Sequence, residues 1–263
     1  MECVLGIDMG SASAKGVLLA GKKILAQVEF PSGGDFKLTA DRIREDLPSR
    51  ARVPAKSISY TVATGFGSKS VSYSDSALTD ISCHAKGVNY LCPTVRTAVD
   101  AGDLYSKAFR MDENGNLQNF VLSGKCAGGS ARILKVAAKV LRLNVEEMGD
   151  LALKSKKQVE FNTGCAVFAE SEAISRIAEG ISKEDLLAGI HRALAAQLNA
   201  LAVRLGIEKD YALVGGGARN SGLVKALEAM SGFPIVVPPD PHMTAALGAA
   251  LIALERAHGV QLS

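Results

Sequence analysis

Apolar residues gather into short strand-like runs at several places along the chain and into helical periods elsewhere. Val4 to Ile7 is a brief apolar run that breaks at Asp8-Met9-Gly10-Ser11-Ala12-Ser13-Ala14-Lys15 and resumes as Gly16-Val17-Leu18-Leu19-Ala20. That pattern predicts strand, tight turn, strand. Ala98-Val99-Asp100-Ala101-Gly102-Asp103 repeats the order of apolar residues, Asp, any residue, Gly, and Lys107 stands seven residues beyond Asp100 as Lys15 does beyond Asp8. A third glycine turn, Gly215-Gly216-Gly217-Ala218-Arg219-Asn220, follows the apolar stretch Tyr211 to Val214 and precedes a helical run from Leu223 to Met230. Helical periodicity fills Ser130 to Leu205, and the rigid Pro238-Pro239-Asp240-Pro241 leads into a final helix from Thr244 to Ala257. The expectation is an α/β protein of two lobes, 1–93 and 94–263, the second carrying the long helical insertion, with the final helix packing back near the hinge.

Composition narrows the class. At 263 residues, with 48% apolar and 22% charged residues, the chain suits two lobes with a substantial interior. A net charge of +3 with scattered Lys and Arg leaves no nucleic-acid footprint. Five cysteines, at positions 3, 83, 92, 126 and 165, do not form the dense framework of a secreted disulfide domain. The N-terminal residues lack a signal-like apolar core and no apolar run reaches membrane-spanning length, so a soluble, cytoplasmic protein is expected.

The two hairpins carry the first candidate chemistry. Small residues at Gly10, Ser11, Ala12 and Ser13 let backbone N–H groups approach a phosphate, Lys15 adds a positive charge, and Asp8 suits a hydrated Mg²⁺. One such hairpin is ordinary. Two of them, the second with Asp100, Gly102 and Lys107, together with the late triplet Gly215, Gly216 and Gly217 and the neighbouring Asn220, are what a nucleotide clamp between duplicated lobes needs. Phosphates would lie between the hairpins, the cation between Asp8 and Asp100, and the adenosine against Gly215 to Gly217.

Cys126 and Cys165 carry the second. Each follows a short polar or glycine-bearing turn and precedes an apolar-periodic run, which places each near a helix N-terminus, where a thiolate is favoured. Nucleophile, redox centre, metal ligand and small buried hydrophobe all remain open on that pattern. Two thiolates do not close a four-ligand site, but two copies of the chain about a twofold axis would bring four. Cys83 with His84, one residue apart, reads as structural, and Cys3 and Cys92 as core. Glu170 and Glu172 read as early-helix carboxylates complementing the dipole, His191 as a helix-face residue and His242 as a loop residue.

The blocks Gly6-Ile7-Asp8-Met9-Gly10-Ser11, Ile81-Ser82-Cys83-His84-Ala85-Lys86-Gly87, Lys125-Cys126-Ala127-Gly128-Gly129-Ser130-Ala131-Arg132, Cys165-Ala166-Val167-Phe168-Ala169-Glu170-Ser171-Glu172, Ala188-Gly189-Ile190-His191-Arg192 and Gly248-Ala249-Ala250 span nearly the whole chain. In them the chain resembles the acetate and sugar kinase, heat-shock-protein 70 and actin superfamily, and within it the ATPases that activate 2-hydroxyacyl-CoA dehydratases and the related ATPase subunits of benzoyl-CoA reductase. The resemblance implies two actin-like (ribonuclease H-like) lobes with a nucleotide cleft, ATP or ADP with Mg²⁺, and catalytic roles for Asp8 and Asp100. It also implies one 4Fe-4S cluster per dimer, held by Cys126 and Cys165 of two copies or of two related subunits. A ferredoxin or flavodoxin would supply the electron and a dehydratase or reductase would accept it. One departure stands out: such activators carry Asp-Ile-Gly-Gly-Gln-Asp-x-Lys in the second hairpin, where this chain has Asp100-Ala101-Gly102-Asp103-Leu104-Tyr105-Ser106-Lys107. A small-molecule kinase using Asp100 as base, and a non-catalytic nucleotide-binding regulator, are the competing readings.

Overall fold

Strand β1 (Cys3–Met9) and strand β2 (Ser13–Ala20) form the first hairpin, and β3 (Lys23–Pro31) extends it. The chain then crosses through helix α1 (Phe36–Ala51), so that β4 (Ile58–Thr64) returns parallel to β1, with the short β5 (Ser76–Ala77) beyond it. The computed structural model describes residues 2–124, 129–157, 159–161 and 166–259. Every residue of β1 is buried because both faces of the strand are covered. Leu5, Ile7 and Met9 meet Ile43 and Leu47 of α1, whereas Val4 faces the opposite way, as the two-residue period of a strand requires.

The second lobe repeats the plan. Strands β6 (Thr97–Ala101), β7 (Ser106–Met111) and β8 (Leu117–Leu122) form the meander. Helices α3 (Arg132–Leu141), α4 (Val145–Ala152), α5 (Ala166–Ala178) and α6 (Lys183–Leu205) make the insertion. Strand β9 (Tyr211–Val214) then returns parallel to β6, and after α7 (Ser221–Ser231), β10 (Ile235–Val236) lies parallel to β9. The sheets run β3-β2-β1-β4-β5 and β8-β7-β6-β9-β10. The same order twice is the duplicated ribonuclease H-like lobe of the actin fold. Helix α6 has the length and composition of a membrane span, yet Leu186, Leu187, Ile190, Leu194, Leu198 and Leu201 lie in this lobe's own core.

The lobes are not successive halves of the chain. Residues from Met243 onward and the turn Met111–Leu117 belong with the segment ending at Pro93, and the second lobe comprises Thr94–Arg110 and Gln118–His242. The expected second lobe, 94–263, therefore gives up its last helix, α8 (Thr244–Ala257). The reason is close packing. A Cβ on Gly6 of β1 would collide with the backbone of Ala246 and Ala250, one on Gly87 of α2 (Asp80–Leu91) with the Thr244 carbonyl, and one on Gly248 with the Cys83 carbonyl. Only glycine allows backbones to approach so closely.

Several expectations about single residues are settled here. His84 is buried with Nδ1 2.8 Å from Thr244 Oγ1, and burial pushes the neighbouring Cys83 thiol up to about 12, both in keeping with structural roles. Cys3 is buried. Cys92 is not a core residue: it ends α2 and is half-buried. Glu170 and Glu172 lie beyond the first turn of α5, and Glu172 pairs with Arg176 at 3.7 Å instead of serving the helix start.

Candidate nucleotide site

In the first lobe, Asp8 and Lys15 face each other across the hairpin because they are register partners on β1 and β2. Lys15 Nζ lies 3.2 Å from Asp8 Oδ2 and donates to the Ser13 carbonyl at 3.1 Å. The turn is tied down from outside: Ser32 Oγ donates to the Gly10 carbonyl at 2.6 Å and Ser32 N–H to the Ala12 carbonyl at 3.1 Å. A Cβ at Gly10 would stand 2.6 Å from the Ser13 carbonyl oxygen, so the turn closes only with glycine there.

In the second lobe the same register pairs Asp100 with Lys107. Lys107 Nζ lies 3.1 Å from Asp100 Oδ2, with side-chain exposures of 6% and 5%. The Tyr105 ring sits with its centroid 5.0 Å from Lys107 Nζ, a cation–π contact. Asp103 faces α3, 2.9 Å from Arg132 Nη2 and 2.7 Å from Lys135 Nζ. Half-burial acts to raise its carboxyl pKa, and the hydrogen bonds and charges of Lys135 and Arg132 outweigh that and hold it below the usual carboxylate range.

The glycine triplet divides into distinct tasks. Gly215, at φ 80°, ends β9 against Asp100, and its N–H donates to the Pro241 carbonyl at 2.9 Å. A Cβ on Gly217 would stand 2.6 Å from the Ala101 Cβ. A Cβ on Gly216 would meet nothing within 4 Å, which leaves open space beside the backbone. Asn220 then caps α7, its Oδ1 accepting from Leu223 N–H at 3.1 Å. The same Oδ1 lies 2.9 Å from Nε2 of buried His191, whose Nδ1 lies 2.7 Å from the Leu187 carbonyl. Burial lowers the His191 pKa against the pull of those two acceptors. The Asn220 Nδ2 is buried with no partner among the described residues.

Sequence reasoning passed over one residue. Thr64-Gly65 stands to Asp8 as Val214-Gly215 stands to Asp100: Asp8 pairs with Thr64 in the parallel ladder and Asp100 with Val214. Gly65, at φ 87°, carries no Cβ for the same reason as Gly215, since a Cβ there would collide with Asp8 Oδ1. The signal was present in Val62-Ala63-Thr64-Gly65-Phe66-Gly67, an apolar strand ending in a glycine turn like the one at Gly215.

Cys126 and Cys165 lie outside the described residues. The helices that follow them start at Arg132 and Ala166. Among the described residues, no three His, Cys, Asp or Glu side chains gather to hold a metal ion. The chemistry of the hairpins fits a Mg-nucleotide: each offers an acid beside a lysine and a glycine turn, and the orphaned Asn220 amide and the open space at Gly216 lie at the start of α7.

The profile of the BadF/BadG/BcrA/BcrD ATPase family matches residues 5–253. The chain is 38% identical to the 2-hydroxyisocaproyl-CoA dehydratase activator of Clostridioides difficile, over 96% of this chain and 95% of that one. With a benzoyl-CoA reductase subunit from Thauera aromatica the identity is 32%, over 95% and 93%. The crystal structure of Acidaminococcus fermentans (R)-2-hydroxyglutaryl-CoA dehydratase component A superposes with a TM-score of 0.93 at 37% identity, covering 98% of this chain and all of that one. The activator of the 2-hydroxyisocaproyl-CoA dehydratase from Clostridium difficile, with bound ADPNP, gives a TM-score of 0.91 at 36% identity, over 99% of each chain.

Proposed function

Because the chain belongs to the BadF/BadG/BcrA/BcrD ATPase family, we propose that it is an ATP-driven electron activase, which passes a low-potential electron from a shared 4Fe-4S cluster to a 2-hydroxyacyl-CoA dehydratase or benzoyl-CoA reductase type of partner. The higher identity to the dehydratase activator than to the reductase protein favours the dehydratase as acceptor. The single observation that carries the nucleotide half of this reading is the repeated acid–lysine hairpin, each acid overlaid by a glycine in the left-handed region, at equivalent positions of the two lobes.

Lys15 and Lys107 neutralise phosphate oxygens, Gly10 to Ser13 and Gly102 present backbone N–H groups, and Asp8 and Asp100 hold a hydrated Mg²⁺. Gly215, Gly216, Gly217 and Asn220 shelve the nucleoside. A Mg²⁺ held by Asp8 and Asp100 would supply charge neutralisation for the phosphates. Cys126 and Cys165 of two copies, or of two related subunits, supply the four thiolates of the cluster, whose contribution is a one-electron store. A reducing cytoplasm, with a ferredoxin or flavodoxin as donor, suits that chemistry.

Anaerobic reconstitution followed by iron and sulfide counts tests the cluster assignment. The wild-type dimer is expected to hold four irons, and Cys126→Ser and Cys165→Ser to lose them. Unchanged cluster content in both variants would sink the assignment.

A further inference from the structure

Helix α3 starts badly by its own means. Its N-cap, Ala131, offers no side-chain bond, and its first turn has no acidic residue. Arg132 and Lys135 instead place two cations, three residues apart and therefore on one face, at the end where the helix dipole is already positive. The missing negative charge comes from another element: the carboxylate of Asp103, in the β6–β7 turn, reaches both cations, at 2.9 Å and 2.7 Å. Two further contacts join the same parts. The Ala131 N–H donates to the Gly102 carbonyl at 2.9 Å, and the backbone at Gly217 fits between Ala101 and Ala131. The turn that carries Asp100 and Lys107 and the first turn of α3 are thus one connected piece.

We propose that Asp103 is a positioning residue that makes the start of α3 conditional on the geometry of the Asp100–Lys107 hairpin, so that a nucleotide held at that hairpin is felt at α3. This rests on the nucleotide reading above. Coupling of this kind is reciprocal: if the nucleotide firms the start of α3, a firm start of α3 tightens the nucleotide by the same factor.

Hydrogen exchange, resolved to the amides of residues 133–136, tests the idea on the full-length protein with and without Mg-ADP, alongside calorimetry of Mg-ADP binding. Asp103→Asn is expected to speed exchange there about fivefold without nucleotide, in line with the strength of charge interactions at a helix end. It is also expected to abolish the extra protection that Mg-ADP gives wild-type α3 and to weaken Mg-ADP by the factor of protection lost. In an Arg132→Gln, Lys135→Gln background, Asp103→Asn is expected to change nothing further, because its partners are gone. Wild-type exchange in Asp103→Asn without nucleotide overturns the latch whatever calorimetry finds. Faster exchange with an undiminished response to Mg-ADP overturns the coupling and leaves only a capping role. Failure of the wild-type protein to bind Mg-ADP removes the nucleotide reading itself, and with it the coupling.

Discussion

Gly215 lies so close to Asp100 that a Cβ added to it would collide with the carboxylate Oδ1. The same residue sits at φ 80°, where any side chain is strained. Gly215→Ala is therefore expected to cost about 2–4 kcal/mol, combining a strained backbone with a displaced buried acid. Urea denaturation measures it, and a loss under about 1 kcal/mol would mean that the β9 end yields easily.

Gly216 is the contrasting position, because open space surrounds it. Gly216→Arg should fold with stability near that of the wild type while its side chain fills the space assigned to the nucleoside. Calorimetry with Mg-ADP decides: equal affinity in the two proteins puts the nucleotide elsewhere.

Lys107→Met removes one member of an ion pair whose side chains are nearly out of solvent. Asp100 then stays buried with this cation removed, a change expected to cost about 3 kcal/mol or more, the usual scale for breaking such a pair. Chemical denaturation at neutral pH reads the difference. Recovery in Lys107→Met with Asp100→Asn would identify the stranded charge as the cause.

The second turn bears on turnover. Tyr105 gives Lys107 an aromatic face, and Asp103 is engaged by Arg132 and Lys135. Leu104→Gln with Tyr105→Asp is expected to raise ATP hydrolysis by on the order of a hundredfold, the value of one positioned group at a phosphoryl-transfer site. Collapse of the rate in Asp103→Ala, with no gain in the double variant, would show instead that Asp103 serves the chemistry.

Acid should act through Asp185. Its Oδ1 accepts from Ser155 Oγ at 2.8 Å, Lys156 N–H at 2.8 Å and Lys157 N–H at 2.9 Å, pinning the loop at 155–157 to α6. The Lys157 backbone bond, the Ser182 and Ser155 hydroxyls and the Lys156 backbone bond drive its carboxyl pKa far below the ordinary range. A depressed folded-state value stabilises above the unfolded value of about 3.9 and is lost as pH falls through the folded one. Wild type should exceed Asp185→Asn in stability at pH 7, with the gap closing as pH drops below about 4. A gap that is constant with pH would place the effect elsewhere.

Much of this was legible in the chain, for local reasons. The two hairpins with their equally spaced acid and lysine were legible because a hairpin fixes its own register, and α8 was bounded to the residue by Pro241 before it and the run of small residues within it. What escaped depends on distant partners. The allegiance of α8 to the first lobe rests on glycines at positions 6, 87 and 248, which meet only in three dimensions. The role of Asp103 was not legible, because its cations lie 29 and 32 residues further on, in another helix. Gly65 carried the same signature as Gly215, but Phe66 separates it from Gly67, so it did not form an unbroken glycine triplet to draw notice.

The allegiance of α8 also orders events at birth. A ribosome releases β1, β2 and β4 early, but Ala245 to Ala253, which cover one face of their sheet, arrive only after the whole of the second lobe has been made. The second lobe can close as soon as its own last strand emerges, whereas the first must wait with Val4, Val17 and Val62 uncovered. The nascent first lobe is thus the part that a chaperone would meet, and the lobe made second is the one that matures first.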